Sequence, residues 1–246
     1  MRAIIKCIAL LVLSSPVAAD DLHIAVAANF QSTLEELIQQ YEQSTGHRVI
    51  LSAGSTGLLY AQISNGAPFD LFFAADTKRP AELERSGLSI PGSRLNYANG
   101  RLALCSPAEK IPADIASWLQ SDAVKRLAIA NPVLAPYGAA TAEVLRNTGS
   151  EQALRDKLII GGNISQTFQF VASGNVSAGF IAVAQMNKGN LTQGWSCQLI
   201  AAALHEPIRQ EAVIINDRPV SHDFMQFIKQ AKSRSIIKNA GYDLSD

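Results

Sequence analysis

LHIAVAANFQSTLEELIQQY, residues 22–41, changes its period in mid-stretch. Residues 22–27 form a short apolar run of strand length. Leu34, Leu37, Ile38 and Tyr41 then recur at helical spacing, and Gly46 marks the end of that helix. Between them lies a tight turn of small residues, Ala27, Ala28 and Asn29. A strand that passes through such a turn into an amphipathic helix is the unit of an α/β fold, and here the unit recurs. Val49, Ile50 and Leu51 make a second strand, followed by a helix that starts over residues 58–63. Residues 70–74 make a third strand, and Pro80 to Leu83 belong to a helix that stops at Gly87. Three βα units within about seventy residues predict an α/β architecture with a mainly parallel sheet.

Further along, residues 90–100 read as a loop rich in Pro, Gly, Ser and Asn, and mark a candidate lobe boundary. A second α/β set follows, with strands expected over 101–106, 127–130, 158–160 and 178–183 and helices over 138–147 and 164–173. Late in the chain come a strand over 212–215 and helices over 223–231 and 235–239, while the tail after Gly241 carries no fold signal. Lobe one is therefore expected to comprise residues 20–98 and 213–246, and lobe two residues 99–212. The chain crosses between them near Arg101 and over residues 209–212, and these crossings are the expected hinge.

The first nineteen residues stand outside this pattern. Arg2 and Lys6, an apolar run over residues 8–13 and the small residues Val17, Ala18 and Ala19 have the layout of a cleavable secretory signal. A membrane anchor needs about 20 apolar residues, and this run is shorter and broken by Ser14, Ser15 and Pro16. Cys7 lies inside the run rather than after it, which argues against a lipoprotein. The expectation is a soluble protein exported to the periplasm. Without Arg2 and Lys6 the 21 basic residues fall to 19 against 21 acidic ones, about −2 overall. That balance predicts no nucleic-acid or anionic-membrane surface. Cys105 and Cys197 remain in an oxidising compartment, either as a disulfide or as two buried small hydrophobes, and the sequence leaves both readings open. Zinc is disfavoured because no Cys or His stands near a second at ligand spacing.

Four turns that open helices share one chemistry: they are small, and rich in hydroxyl, amide or glycine residues. They are residues 27–32 (AANFQS) with Ala28 and Asn29, residues 52–57 (SAGSTG), residues 135–138 (APYG) and residues 161–165 (GGNIS). In open α/β sheets ligands gather at the carboxyl ends of strands, where helix N-termini present unpaired N–H groups and positive dipole ends. The plainer alternative is that Asn29, Ser55, Thr56 and Asn163 are helix N-caps and nothing more. Residues 54–57 lack the lysine of a nucleotide-binding P-loop, and no turn is a Gly-x-Ser-x-Gly nucleophile elbow. A secreted hydrolase using Ser55 or Ser165 is the rival from a different class, and it lacks a base nearby in sequence.

The same segments resemble the periplasmic molybdate-binding proteins of ABC uptake systems. The resemblance is carried by residues 25–30 (AVAANF), 52–57 with 60–63 (YAQI), and 66–72 (GAPFDLF). It continues from 130–132 (ANP) to Tyr137 and Gly138, then through 162–167 (GNISQT) and 178–180 (AGF), in order over most of the mature chain. It implies the type 2 periplasmic-binding-protein fold, two α/β lobes joined by a two-strand hinge with the ligand in the cleft. It also implies a monomer that captures molybdate or tungstate, or failing these another small anion, and delivers it to a membrane permease, with neither catalysis nor a cofactor. Carried over by position, the anion's donors are Asn29 with Ala28, Thr56 with Ser55, and the backbone N–H groups of Tyr137 and Ile164. Some relatives add a tyrosine hydroxyl at the position held here by Ala182, and this chain looks like the branch in which Asn completes the shell. Neutral donors spread the compensation of a dianion over many bonds, cavity size then excludes sulfate, and a site without acceptors disfavours protonated phosphate.

Other residues invite over-reading. Asp70 and Asp76 make a tempting carboxylate pair, yet both stand where acids cap strand edges and helix starts. His23, His47, His205 and His222 are scattered, and Trp118 and Trp195 are expected to pack on lobe two. Asp223 reads as the cap of a helix whose core face is Phe224, Met225 and Phe227.

Overall fold

The computed structural model describes residues 20–186 and 194–244. The expected signal segment, residues 1–19, lies outside the described residues. Among the described residues no helix is long and apolar enough to cross a membrane.

Lobe one opens with β1 (Asp21–Ala27), α1 (Gln31–Thr45), β2 (Arg48–Gly54), α2 (Thr56–Ser64), β3 (Leu71–Ala74), α3 (Lys78–Arg85) and β4 (Leu95–Gly100). Lobe two follows with β5 (Leu102–Ser106), α4 (Ile115–Gln120), β6 (Leu127–Ala130), α5 (Pro136–Asn147), α6 (Glu151–Leu154), β7 (Leu158–Gly161), α7 (Ile164–Ala172), β8 (Ala178–Ala182), α8 (Val183–Met186) and β9 (Ser196–Leu199). The chain returns through β10 (Ile208–Ile214) and ends in α9 (Pro219–Lys229) and α10 (Ala231–Asn239). The change of period within residues 22–41 is the passage from β1 into α1. Leu34, Leu37, Ile38 and Tyr41 are the buried face of α1, and Gly46 at φ 78° closes it, its N–H bonding Glu42 O at 2.9 Å.

The two sheets are ordered β2-β1-β3-β10-β4 and β7-β6-β8-β5-β9. In the first, β1 is parallel to β2 and β3, and β10 runs antiparallel between β3 and β4. In the second, β6 is parallel to β7 and β8, and β5 runs antiparallel between β8 and β9. Each sheet is thus mixed, with the parallel strands at one side and an antiparallel strand inserted at the other. Parallel register levels the strand ends in pairs, Ala27 with Gly54 and Ala130 with Gly161, so two turns leave each sheet at the same height. Strand pairing keeps the first sheet continuous to Gly100 and resumes it at Ile208, which pairs with Gly100; Arg101 alone separates β4 from β5.

Three expectations are corrected. Residues 95–100 are not loop but β4, the edge strand of the first sheet beside β10; Asn96, Asn99 and Gly100 dilute its strand signal, while Tyr97 and Ala98 are buried. The segment after Gly241 is tied down: Asn99 and Asp243 exchange backbone bonds at 2.7 and 3.0 Å, and Tyr242 is buried. Asp223 is not a cap. Pro219 at the first helical position starts α9 four residues earlier, and the Asp223 carboxylate accepts from Tyr41 Oη at 2.9 Å.

Cys105 and Cys197 are joined in a disulfide across the paired strands β5 and β9. Trp118 packs in the lobe-two core, and Trp195 stacks on Phe168. The lobe-one core beneath the first turn is aromatic: Phe30 lies 4.5 Å from Tyr97 and 5.3 Å from Tyr242, centroid to centroid. The main core of lobe two is built chiefly of Ala, Leu and Ile.

Candidate functional site: a neutral cavity between the lobes

The four turns converge. Ala28, Asn29, Ser55, Thr56, Tyr137 and Ile164 all line one small cavity of about 10 Å³ between the lobes, the scale of a single water molecule, and none of its lining residues is charged. All six are buried. Wider clefts of about 530 and 490 Å³ lie at the lobe rim and behind the hinge. They are open and carry charged walls such as Asp76, Arg79, Arg101 and Arg209; the starts of α3 and α5 reach the first of them, but Asn29, Thr56 and Ile164 line neither.

The capping alternative can be tested residue by residue. Only Asn163 caps, its side chain accepting from Gln166 N at 2.9 Å. Ser55 sits at the N-cap of α2 without a side-chain cap bond, Thr56 is the first helical residue, and Asn29 precedes the N-cap Phe30 of α1. Three of the four polar turn residues are therefore not engaged in closing their helices.

Each donor is set by its surroundings. Thr56 Oγ1 accepts the N–H of Ala75 at 3.1 Å, which leaves its own hydrogen free to donate. Tyr137 and Ile164 lie in the first turns of α5 and α7, where N–H groups have no intrahelical carbonyl to bond. Pro136 at the first position of α5 starts that helix without adding an orphan donor. Asn29 directs its Nδ2 group at Gln210 Oε1 (2.8 Å) and Tyr242 Oη (3.2 Å), and its carbonyl accepts from Tyr242 Oη at 2.7 Å. The donor Asn29 can offer is its backbone N–H, unpaired among the described residues. Ala28 is a wall rather than a donor, because its N–H is committed to Gly54 O at 2.9 Å. Ala182 is buried in β8 and does not line the cavity; its N–H bonds Gln185 Oε1, and Gln185 Nε2 reaches Ile164 O.

The cleft is closed. Gly57 N–H meets Leu134 O at 2.8 Å, Arg79 Nη2 meets Val133 O at 2.8 Å, and Ser165 Oγ meets Ala28 O at 3.1 Å, each bond running from one lobe to the other. Arg79 is itself held by Asp76. Burial pushes the hydroxyls of Tyr97, Tyr137 and Tyr242 well above the ordinary tyrosine range, so the groups beneath the cavity stay neutral.

The rival residues are engaged elsewhere. Asp70 is no cap but a buried staple, accepting from His23 N (2.8 Å), Arg218 Nη1 (3.0 Å) and Asn216 Nδ2 (3.1 Å). Asp76 accepts from Arg79 N at the start of α3. His47, His205 and His222 make their hydrogen bonds with Asp20, Glu206 and Asp217 at the surface. Ser165 donates to a backbone carbonyl.

The family model described as bacterial extracellular solute-binding protein matches residues 22–243, the whole span that carries this geometry. The chain belongs to that family. This solute-binding protein is 43% identical over 229 residues to the molybdate-binding protein ModA of Azotobacter vinelandii, with 92% of this chain and 91% of the relative covered. It is 36% identical over 233 residues to the ModA protein of Rhodobacter capsulatus, covering 94% and 91%. The solved structure of the Azotobacter vinelandii periplasmic molybdate-binding protein superposes with a TM-score of 0.86 at 37% identity, covering 92% of this chain and 100% of that one.

Sequence reasoning found the turns of this solute-binding protein and missed what lies under them: Tyr97, Gln210 and Tyr242. One signal for Gln210 was available. Along residues 208–212, Ile208, Gln210 and Ala212 alternate with Arg209 and Glu211, which puts a polar side chain at an inward position. For Tyr242 there was only a lone aromatic in a tail without periodicity.

Proposed function

We propose that this protein captures molybdate in the periplasm and hands it to the permease of an ABC importer. The observation that carries the reading is the closed cavity without charged walls, to which both lobes bring neutral donors. Molybdate is a compact tetrahedral dianion whose four oxygens accept only, and hydroxyls and helix N-termini are its complement. The relatives named above, and the layout of residues 1–19, support export. Tungstate, equally an acceptor-only tetrahedral dianion, is a second cargo of the same site. The protein works as a monomer, catalyses nothing and needs no cofactor beyond its cargo. The hinge of this reading is Arg101 together with the entry of β10 at Ile208, and closure is lobe rotation about these two crossings.

Calorimetric titration with molybdate, tungstate and sulfate tests it. The first two should bind and raise the melting temperature by mass action, and sulfate should do so far more weakly. Absence of heat and of any thermal shift with molybdate and tungstate would sink the reading. Thr56→Val keeps the shape and removes one donor, and should weaken molybdate binding about tenfold to a hundredfold.

A further inference from the structure

Gln210 is completely buried on β10, the strand that re-enters the first sheet from the hinge, at a shift in register between Gln210 and Glu211. Such irregularities re-aim side chains. Its amide makes contacts in two directions. Oε1 accepts from Asn29 Nδ2 at 2.8 Å and shares the hydrogen of Tyr97 Oη, which lies 2.9 Å away and 3.1 Å from Ala74 O. Nε2 donates to Tyr137 Oη at 3.3 Å. Asn29 and Tyr97 belong to lobe one; Tyr137 stands at the start of α5 in the lobe-two core. Gly100 leaves the room for this junction, since a Cβ there would sit 2.2 Å from Tyr137 Oη and 2.7 Å from Gln210 Nε2.

We propose that Gln210 is a positioning residue for anion capture, tying the Asn29 turn to Tyr137 so that binding and closure are one event. This rests on reading the neutral cavity as the oxyanion site. Tyr137 is used at both ends: its backbone N–H faces the ligand position from the first turn of α5, and its hydroxyl docks on the hinge strand. Rotation of lobe two that withdraws α5 also withdraws the hydroxyl from Gln210. A buried amide cannot leave its hydrogen unpaired without penalty, so the Gln210–Tyr137 bond favours the geometry in which the lobe-two N–H groups meet the Asn29 turn. Gln210 touches no ligand in this scheme and acts through Asn29 and Tyr137.

The test is a double-mutant cycle of Gln210→Leu and Tyr137→Phe, read by molybdate calorimetry together with the inter-lobe distance from spectroscopic labels on α1 and α6. Tyr137→Phe keeps the ring and the backbone N–H, and it stands alone if Gln210→Leu does not fold. Each single variant should weaken molybdate binding about tenfold and lower the closed fraction without ligand, while the double variant loses no more than the worse single. Wild-type affinity in Tyr137→Phe, losses that multiply, or an unchanged closed fraction would each overturn the linkage while leaving the cavity reading standing. Wild-type protein that binds no molybdate would overturn both.

Discussion

Lobe one fixes its side of the cavity through side-chain hydrogen bonds, and lobe two fixes its side through helix starts. On the first side, Thr56 is fixed by Ala75, and Asn29 by Gln210 and Tyr242, over an aromatic floor of Phe30, Tyr97 and Phe73. On the second, Tyr137 and Ile164 offer main-chain N–H groups aimed by where α5 and α7 begin. The two lobes share one pattern of strand order, so the sheet does not account for the difference. A side-chain donor is lost by changing one residue. A backbone donor is lost only by moving its helix, and lobe two should therefore be vulnerable at packing positions rather than at the ligand-facing residues themselves.

The largest effect should follow from a single methyl group. A Cβ at Gly138 would lie 2.3 Å from Ala130 O and 2.7 Å from Asn131 O, backbone atoms of the strand end against which α5 starts. Gly138→Ala should cost about 3 kcal/mol or more of stability, or displace α5 and lower molybdate affinity beyond a hundredfold, as melting and calorimetry would show. Gly57 in lobe one makes the contrast. Its added Cβ would meet Arg79 Nη2 at 3.0 Å, the movable end of a long side chain in the same lobe, and Leu134 Cα and O at 3.1 Å across the cleft, so Gly57→Ala should weaken binding with little effect on the melting of the open, ligand-free form. If Gly138→Ala binds normally, lobe two does not depend on the position of α5.

Next comes the disulfide, which belongs to lobe two alone. It links residues 92 apart and staples the edge strand β9 to β5. The Cys105→Ser, Cys197→Ser double variant should lose about 2–4 kcal/mol of stability in lobe two and still bind at low temperature, because neither cysteine lines the cavity. Equal destabilisation of both lobes would show that they unfold as one unit.

How much of this was legible follows the same division. The change of period from β1 to α1 is written in Leu34, Leu37, Ile38 and Tyr41, neighbours on one helix, and the turns follow from strand meeting helix. The support under Asn29 joins residues 181 and 213 positions apart, and nothing local to Gln210 or Tyr242 records where the other end lies. Backbone donors are legible only as helix starts. Residue type says little there, which is why Ala28 could be taken for a donor until its N–H was seen bonded to Gly54. β4 was missed because an edge strand answers to one neighbour and tolerates Asn and Gly.

Alkaline pH should separate the lobes more gradually. Burial raises the hydroxyl pKa of Tyr41, Tyr97 and Tyr242 in lobe one and of Tyr137 in lobe two. Above about pH 10 the unfolded chain loses these protons while the folded chain keeps them, so stability is full below that pH and falls as pH rises. Each such tyrosine contributes a slope of up to about 1.4 kcal/mol per pH unit. With three of the four, lobe one should melt first, and anion binding should fail with it because Tyr97 and Tyr242 support Asn29. Melting curves between about pH 9 and 12, with tyrosinate absorbance as the second signal, would check the order. A melting temperature that stays level across that range would mean the hydroxyls ionise in the folded state.

The smallest effect tests the contrast at its weakest point, since Ser165 is a lobe-two side chain that reaches the Asn29 turn. Its hydroxyl donates to Ala28 O at 3.1 Å, a bond that exists only with the cleft closed. In the open form both groups turn to water, so Ser165→Ala should leave ligand-free stability alone. In the closed form it removes the bond to the Ala28 carbonyl, at about 0.5–1.5 kcal/mol, or about twofold to tenfold in affinity. Because the bond forms after the anion has entered, the loss should fall on the rate of release and not on the rate of capture. Stopped-flow measurement with molybdate separates the two rates. An unchanged release rate would mean that Ser165 is not among the contacts that hold the cleft shut, leaving lobe two's grip on the Asn29 turn to Tyr137 and Gln210. A change in the capture rate would mean that the serine acts before closure, as part of the open lobe's own surface.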